Sequence, residues 1–178
     1  MDVTRPAPTL VSLGGLPATG KSTLAREVAR RLPASYVRID TIETAITRSE
    51  GPHAATNSWV LPPGYAVGYD LAAEQLRLGL AVVAESVNAY PETRDAWRDV
   101  ATGTDAGLVE VEVICSDPAE HRRRAEQRRV DIADLHRPTW QDILDREYRP
   151  WQRDRLVIDT ATTGVADAVA RILAACAG

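Results

Sequence analysis

The segment from Gly15 to Ser22 constrains this chain more than any other part of its sequence. It reads GLPATGKS, two glycines separated by four residues and followed by a lysine and a hydroxyl residue. A short apolar run, residues 10–13, precedes it, and leucine or valine recurs at every fourth residue after it. Between a strand and a helix, a glycine turn can point its backbone N–H groups toward a bound phosphate. The phosphate then also lies at the positive N-terminal end of the helix. We therefore expect a phosphate-binding loop.

Lys21 is the only lysine among the 21 lysine and arginine residues of the chain. A compact ammonium on a flexible stem fits between phosphate groups where a planar guanidinium does not. We expect Lys21 to contact the outer phosphates of a nucleotide and the Ser22 hydroxyl to bind Mg²⁺. The residues expected to surround the phosphates are Gly15, Leu16, Pro17, Ala18, Thr19, Gly20, Lys21, Ser22 and Thr23.

Predicted strands and helices alternate along the chain. Strands are expected at residues 10–13, 36–39, 81–84, 108–115 and 156–158. Helical periodicity or capping signals indicate helices at residues 24–32, 41–49, 65–78 and 91–101, and again from 117, 139 and 165 onwards. This alternation predicts an α/β fold, a parallel sheet with helices on both faces. The 178 residues are enough for one domain, which we expect to span residues 1–178.

Composition argues against several classes of protein. A net charge of −4 disfavours a duplex-DNA-binding protein, which needs a broad basic surface. Cys115 and Cys176 do not have the spacing of a metal or redox motif and indicate a reducing compartment. The N-terminal residues lack the apolar core of a signal peptide, and no apolar run approaches the ~18 residues of a membrane span. We therefore expect a cytoplasmic protein that does not enter a membrane.

Two acidic residues, Asp40 and Glu85, follow the second and third predicted strands. The carboxyl ends of parallel strands meet at the ligand-binding edge of a sheet. Asp40 could therefore take the proton from an attacking hydroxyl, and Glu85 could bind Mg²⁺ or the phosphate acceptor. Asp40 could also be the N-cap of the next helix, and Glu85 could lie in solvent.

Further polar residues could contact the acceptor. Asn88 could donate or accept a hydrogen bond, and Arg94 could bind an anionic group. Residues 51–64 are predicted to form a loop, in which His53 and Trp59 could stack on a ring or sugar. Trp59 could instead pack on the core.

A basic segment, DPAEHRRRAEQRR, follows the fourth strand and begins with a capping aspartate, Asp117. Arg124 and Arg128 are four residues apart and would share one face of a helix. Few apolar residues anchor this helix, which suits a lid that opens and closes. Closure would bring a guanidinium onto the transferred phosphoryl group. The alternative is a solvated basic helix that pairs with Glu120 and Glu126.

The motif GLPATGKST and the layout of the whole chain resemble the ATP-binding AAA-type kinase-like proteins. That group includes chloramphenicol phosphotransferase, zeta-type toxins and the polynucleotide 5′-kinase domain. The resemblance implies a three-layer P-loop NTPase fold with a five-stranded parallel sheet in the order 2-3-1-4-5. It also implies ATP as the nucleotide, an arginine-rich lid at about residues 118–140 that contains Arg124 and Arg128, and Asp40 as the base or acceptor ligand.

The expected function is Mg²⁺-dependent transfer of the γ-phosphate of ATP to a hydroxyl or phosphate of a small molecule. Polynucleotide kinases, which this chain resembles, have the pattern Asp-x-x-Arg at the position of Asp40. This chain has Glu43 in place of the arginine. An acid at that position would repel a phosphorylated polymer, although Arg48 is close enough to compensate. A nucleic-acid 5′-kinase and a regulatory switch that hydrolyses ATP slowly remain the alternatives. The sequence leaves the acceptor and the oligomeric state open.

Overall fold

The structure, a computed structural model, describes residues 8–50, 62–129 and 131–177. The acceptor contacts predicted for His53 and Trp59 fall outside these ranges. The strands are β1 (Thr9–Gly14), β2 (Ser35–Arg38), β3 (Val82–Glu85), β4 (Gly107–Ile114) and β5 (Leu156–Asp159). The helices are α1 (Lys21–Arg31), α2 (Ile39–Glu50), α3 (Pro63–Arg77), α4 (Pro91–Thr102), α5 (Pro118–Gln127), α6 (Trp140–Leu144) and α7 (Val165–Cys176).

All five strands are parallel, in the order β2-β3-β1-β4-β5. Leu10 of the central strand β1 is paired with Val82 of β3 and Leu108 of β4. This arrangement confirms the predicted fold class and strand order. Because the strands run in one direction, the carboxyl ends of β1, β2 and β3 lie together at one edge of the sheet, where open α/β sheets bind ligands.

Helices cover both faces of the sheet. Successive residues of a strand point to opposite faces, so Val11 packs with Val28 of α1 and Ile172 of α7. Leu10, its neighbour, packs on the other face with Trp97 of α4. Burial on both faces explains why β1 and β3 are mainly apolar runs in the sequence.

Asp40 does not follow a strand directly, as the sequence suggested. β2 ends at Arg38, and Asp40 lies in the first turn of α2. The N-cap alternative for Asp40 is therefore wrong, because an N-cap residue precedes the helix.

The helix α3 begins at Pro63, inside the segment predicted to be a loop. Its N-cap residue, Pro62, provides no side-chain hydrogen bond. Glu43 of α2 takes that role, because its Oε1 accepts a hydrogen bond of 2.7 Å from the backbone N–H of Gly64. A carboxylate at the positive end of a helix is a favourable arrangement.

The capping signals around α5 and α6 are confirmed. Asp117 accepts hydrogen bonds from the N–H groups of Ala119 and Glu120. Thr139 and Asp142 form a reciprocal capping box at the start of α6. Within the described residues, no helix is long and apolar enough to cross a membrane.

Candidate active site

The glycine turn between β1 and α1 has a backbone conformation that depends on glycine. Gly15 has a φ of 142° and Gly20 a φ of 102°. A Cβ atom at Gly15 would overlap the carbonyl oxygen of Val113. The far side of the turn is held by Thr160, whose hydroxyl donates to the carbonyl of Thr19 at 2.7 Å. These contacts fix the shape of the loop before any ligand binds.

Lys21 begins helix α1 and is buried in the loop. Its Nζ donates to the carbonyl of Leu16 at 2.7 Å. Burial lowers the pKa of Lys21 to about 8, although Glu85 and Asp40 act in the opposite direction. No acidic residue lies in the first turn of α1, so the positive end of the helix is not neutralised by its own side chains.

Glu85 lies at the end of β3 and is almost completely buried, at 4% exposure. The Ser22 hydroxyl donates to its Oε1 at 2.5 Å, and the Tyr36 hydroxyl donates to its Oε2. Burial and the Glu85 carboxylate both raise the pKa of Tyr36. The alternative in which Glu85 lies in solvent is therefore wrong.

Ser22 and Glu85 together suit Mg²⁺. A hydroxyl and a carboxylate oxygen meet beside the phosphate loop, and Mg²⁺ takes oxygen ligands, usually one or two from protein with the rest from phosphate and water. The donor set therefore fits the metal ion that was predicted for these two residues.

Asp40 opens onto the same space, with 41% of its side chain exposed. Arg38 lies behind it, with Nη2 3.9 Å from Asp40 Oδ2 and Nε 3.7 Å from a Glu85 oxygen. The Nη1 of Arg38 donates to Asp131, beyond α5, at 2.9 and 3.1 Å. Among the described residues, the buried Nε and Nη2 of Arg38 have no hydrogen-bond partner. The charge of Arg38 therefore lies between two site carboxylates and the segment after α5.

Arg124 connects α5 to the phosphate loop. It donates to Glu120 on its own helix and to the hydroxyl and carbonyl of Thr160. Since Thr160 also binds the loop, one residue separates the guanidinium from the nucleotide cradle. Arg128, the C-cap residue of α5, faces the same cavity.

His121 also anchors α5 to the loop, a contact that sequence reasoning missed. Its Nε2 lies 2.8 Å from the carbonyl oxygen of Pro17, and its ring packs edge-on against Trp140. The spacing of His121 and Ala125, the two buried residues of this charged helix, was the available signal, because residues four apart share a helix face.

A cavity of about 650 Å³ joins these groups, a size typical of small-molecule sites. Its wall includes the phosphate loop, Asp40, Glu85, Arg124 and Arg128. Sequence reasoning did not assign several other residues of the wall to the site, among them the basic side chains of Arg123, His136, Arg137 and Arg146.

Asn88 does not belong to this cavity, contrary to the sequence prediction. Its side chain is completely buried, and its Oδ1 accepts hydrogen bonds from Ser86 and Trp97. Its Nδ2 donates to Ser12. The amide connects β1, α4 and the residues after β3, so its role is structural.

Arg94 is also turned inward, which corrects its predicted role as an anion-binding residue. It is 2% exposed and donates to backbone carbonyls that include those of Asn88 and Arg149. Its guanidinium lies 4.4 Å from the centre of the Trp151 ring. These contacts use the side chain to hold the segment after α6 on the sheet.

The parallel sheet and the phosphate loop define a nucleotide-binding protein with the fold of P-loop kinases. Comparison with known proteins gives the family. The chain belongs to the AAA_33 family of AAA domains, whose model matches residues 10–150. No curated protein sequence is significantly similar to it.

Solved structures of other proteins, two of them kinases, share this fold. The APS kinase of Mycobacterium tuberculosis in complex with AMPPNP and APS has a TM-score of 0.70 at 16% identity, over 97% of this chain and 99% of that one. A gluconokinase from Sinorhizobium meliloti has a TM-score of 0.64 at 21% identity, over 97% and 94%. Kti12 of Chaetomium thermophilum in complex with ADP-AlF3 has a TM-score of 0.68 at 20% identity, over 95% and 100%.

Proposed function

We propose that this protein is an ATP- and Mg²⁺-dependent kinase that phosphorylates a hydroxyl or phosphate group of a small molecule. The observation that carries the proposal is the position of Asp40. Its carboxylate opens onto the cavity that also contains the lysine of the phosphate loop. A protein that only binds ATP has no need of a carboxylate there, whereas one that hydrolyses ATP could use it to activate water, so the labelled product decides between transfer and hydrolysis.

The phosphate loop and Lys21 bind the β- and γ-phosphates of ATP in this proposal. Ser22 and Glu85 hold Mg²⁺, which when bound neutralises charge on the phosphates. The acceptor hydroxyl lies beside Asp40 and gives its proton to that carboxylate.

Transfer then follows from position and charge. The acceptor oxygen forms a bond to the γ-phosphorus while the bond from that phosphorus to the bridging oxygen breaks, and ADP leaves. Arg124 and Arg128 stabilise the negative charge on the transferred group. Residues 118–140 act as the lid that brings these two arginines into place, within a single domain of residues 1–178, and we place the reaction in the cytoplasm.

Replacement of Asp40 tests this proposal. Asp40→Asn should lower the rate of transfer by about 10²–10⁴-fold, the usual contribution of a general base, and leave ATP binding unchanged. The assay follows ³²P from γ-labelled ATP into a panel of sugars, nucleosides, aminoglycosides, metabolite extract and RNA 5′ ends. Asp70→Asn, an exposed carboxylate on α3, is the matched control and should retain full activity.

The same assay separates the alternatives. Label that accumulates only as inorganic phosphate, at a rate unchanged by Asp40→Asn, would favour the regulatory switch and overturn the kinase. Label on RNA ends would identify a polynucleotide kinase. The position that holds an arginine in polynucleotide kinases is occupied here by Glu43, whose carboxylate accepts a hydrogen bond at the N-terminus of α3.

A further inference from the structure

The wall of the cavity has more positive than negative side chains. Its lysine and arginine residues are Lys21, Arg123, Arg124, Arg128, Arg137 and Arg146. Its carboxylates are Asp40 and Glu85. A cleft lined mainly by one sign of charge concentrates ligands of the opposite sign. The cavity therefore suits a strongly anionic content.

Most of these cations already have partners. Arg123 and Arg124 are paired with Glu120. Arg137 donates to the backbone carbonyls of Glu126 and Arg128. Their charges are held by the protein itself and are only partly available to a ligand.

Arg128 and Arg146 differ from the rest. In the described part of the chain, neither guanidinium has a hydrogen bond or an ion pair within 4 Å. Arg128 is the C-cap residue of α5, and its proposed role is at the transferred phosphoryl group. Arg146 comes from a different element, the segment that follows α6, and it has no role in that step.

Arg146 lines the same cavity as Asp40. Burial raises the pKa of the Tyr65 hydroxyl, and the charges that act on it include Asp40 and Arg146, in opposite directions. The same two charges act on Lys21. Tyr65 accepts a hydrogen bond from the backbone N–H of Asn88, just beyond the end of β3. Arg146, Asp40 and Lys21 therefore line one cavity, and the charges of the first two both act on the pKa of the third.

We propose that the acceptor carries an oxyanion, a carboxylate or a phosphate, and that Arg146 binds it while the reacting hydroxyl faces Asp40. The identity of the acceptor rests on the proposed kinase function, whereas the anion site does not. The carboxylates of Asp40 and Glu85 would repel an anionic acceptor unless a positively charged side chain bound its negative group. Arginine forms two parallel charge-assisted hydrogen bonds to such groups, and Arg146 gives up no ion pair to do so.

The test uses small anions as probes, so that no acceptor needs to be known. The protein is saturated with Mg²⁺ and AMPPNP and titrated by calorimetry with inorganic phosphate in one arm and acetate in the other, at constant ionic strength. We expect saturable binding in at least one arm. Arg146→Met should weaken it by about tenfold or more, as expected for loss of a hydrogen bond to a charged group, and Arg146→Lys should restore part of it.

Two further measurements keep the result specific. The Kd of AMPPNP should be the same in Arg146→Met as in the wild type. Arg77→Met, an exposed arginine at the end of α3, should bind the anions normally. No saturable binding of either anion, or equal binding by Arg146→Met, would overturn the anion site. The phosphate and acetate arms distinguish a phosphorylated acceptor from a carboxylic acid.

The outcomes also separate this inference from the proposed function. If anions bind through Arg146 but no acceptor is ever labelled from ATP, the kinase proposal fails and the anion site stands. If neutral acceptors are labelled through Asp40 and no anion binds, the kinase stands and the anion site is wrong.

Discussion

At the scale of single residues, the backbone of Gly15 controls whether the site exists. Its φ of 142° and its contact with the carbonyl of Val113 exclude any side chain. We expect Gly15→Ala to abolish AMPPNP binding, because the loop amides would no longer converge. Strain of about 1–3 kcal/mol should also lower the Tm by roughly 5 °C in a domain of this size. Calorimetric titration and thermal unfolding measure the two effects.

Gly107→Ala provides the control for this variant. A Cβ atom at Gly107, in β4, would meet no atom closer than 3.7 Å, so binding and Tm should stay as in the wild type. Normal AMPPNP binding by Gly15→Ala would show that the loop does not form the nucleotide site.

Residue types predicted the phosphate loop and the carboxylates of the site, but not the direction of every side chain. Glu85 could be assigned to the cavity because a strand end fixes its position. Asn88 lies only three residues further along, yet its φ of 51° turns the amide into the core. That conformation depends on Ser12 and Trp97, which no local pattern places nearby. Arg38 and Arg146 escaped prediction for the same reason.

At the scale of elements, Asp131 attaches the segment between α5 and α6 to the sheet. It accepts from the buried Arg38 and also pairs with Arg26 of α1. Asp131→Asn removes the charge that both arginines share. We expect amide hydrogen exchange at residues 131–137 to accelerate by about tenfold, since loss of a hydrogen bond to a charged group costs at least about 1.5 kcal/mol. Mass spectrometry of peptic fragments measures the exchange.

Asp134→Asn changes the same chemical group three residues away. Within the described residues, Asp134 has no ion pair, and its positive φ of 65° is one that asparagine tolerates. Exchange in this variant should match the wild type. If Asp131→Asn also matched it, the segment would be held by contacts other than the Asp131 carboxylate.

Helix boundaries were predictable where the capping group is local. Asp117 and Thr139 each bind N–H groups within the next three residues, and the sequence shows such pairs directly. The start of α3 was predicted at residue 65, two residues beyond Pro63, and its cap, Glu43, lies 21 residues away along the chain. A cap supplied by another helix leaves no signal near the helix that it stabilises.

At the scale of the whole molecule, Asn88 joins the central strand β1 to the end of its neighbour β3 and to a helix on one face of the sheet. Its side chain bonds Ser12 of β1, Ser86 after β3 and Trp97 of α4. Asn88→Ala should lower the free energy of unfolding by about 1–3 kcal/mol, because buried polar partners lose their hydrogen bonds. AMPPNP affinity should change little, since the side chain does not line the cavity. Urea unfolding and calorimetric titration measure the two quantities.

A surface amide serves for comparison. Gln152→Ala removes an exposed side chain of the same chemistry and should leave the free energy of unfolding within about 0.5 kcal/mol of the wild type. A normal free energy of unfolding in Asn88→Ala, together with weaker binding of an acceptor, would restore the substrate role first predicted for Asn88.

The order of the strands could not be derived from composition or periodicity. The central strands β1 and β3 are buried on both faces, and such strands carry no mark that specifies a neighbour. The order 2-3-1-4-5 was implied by a family resemblance and is confirmed by the structure. Non-local pairing therefore depended on the resemblance, while element type came from periodicity.

The single lysine of the chain has a practical consequence. Because Lys21 lies within the phosphate loop and the chain has no second lysine, a sample isotopically labelled in lysine alone carries its label at one position. The resulting NMR spectrum contains one lysine side-chain spin system, which needs no assignment. Nucleotide occupancy, metal dependence and exchange kinetics could each be followed from that signal, without altering the protein.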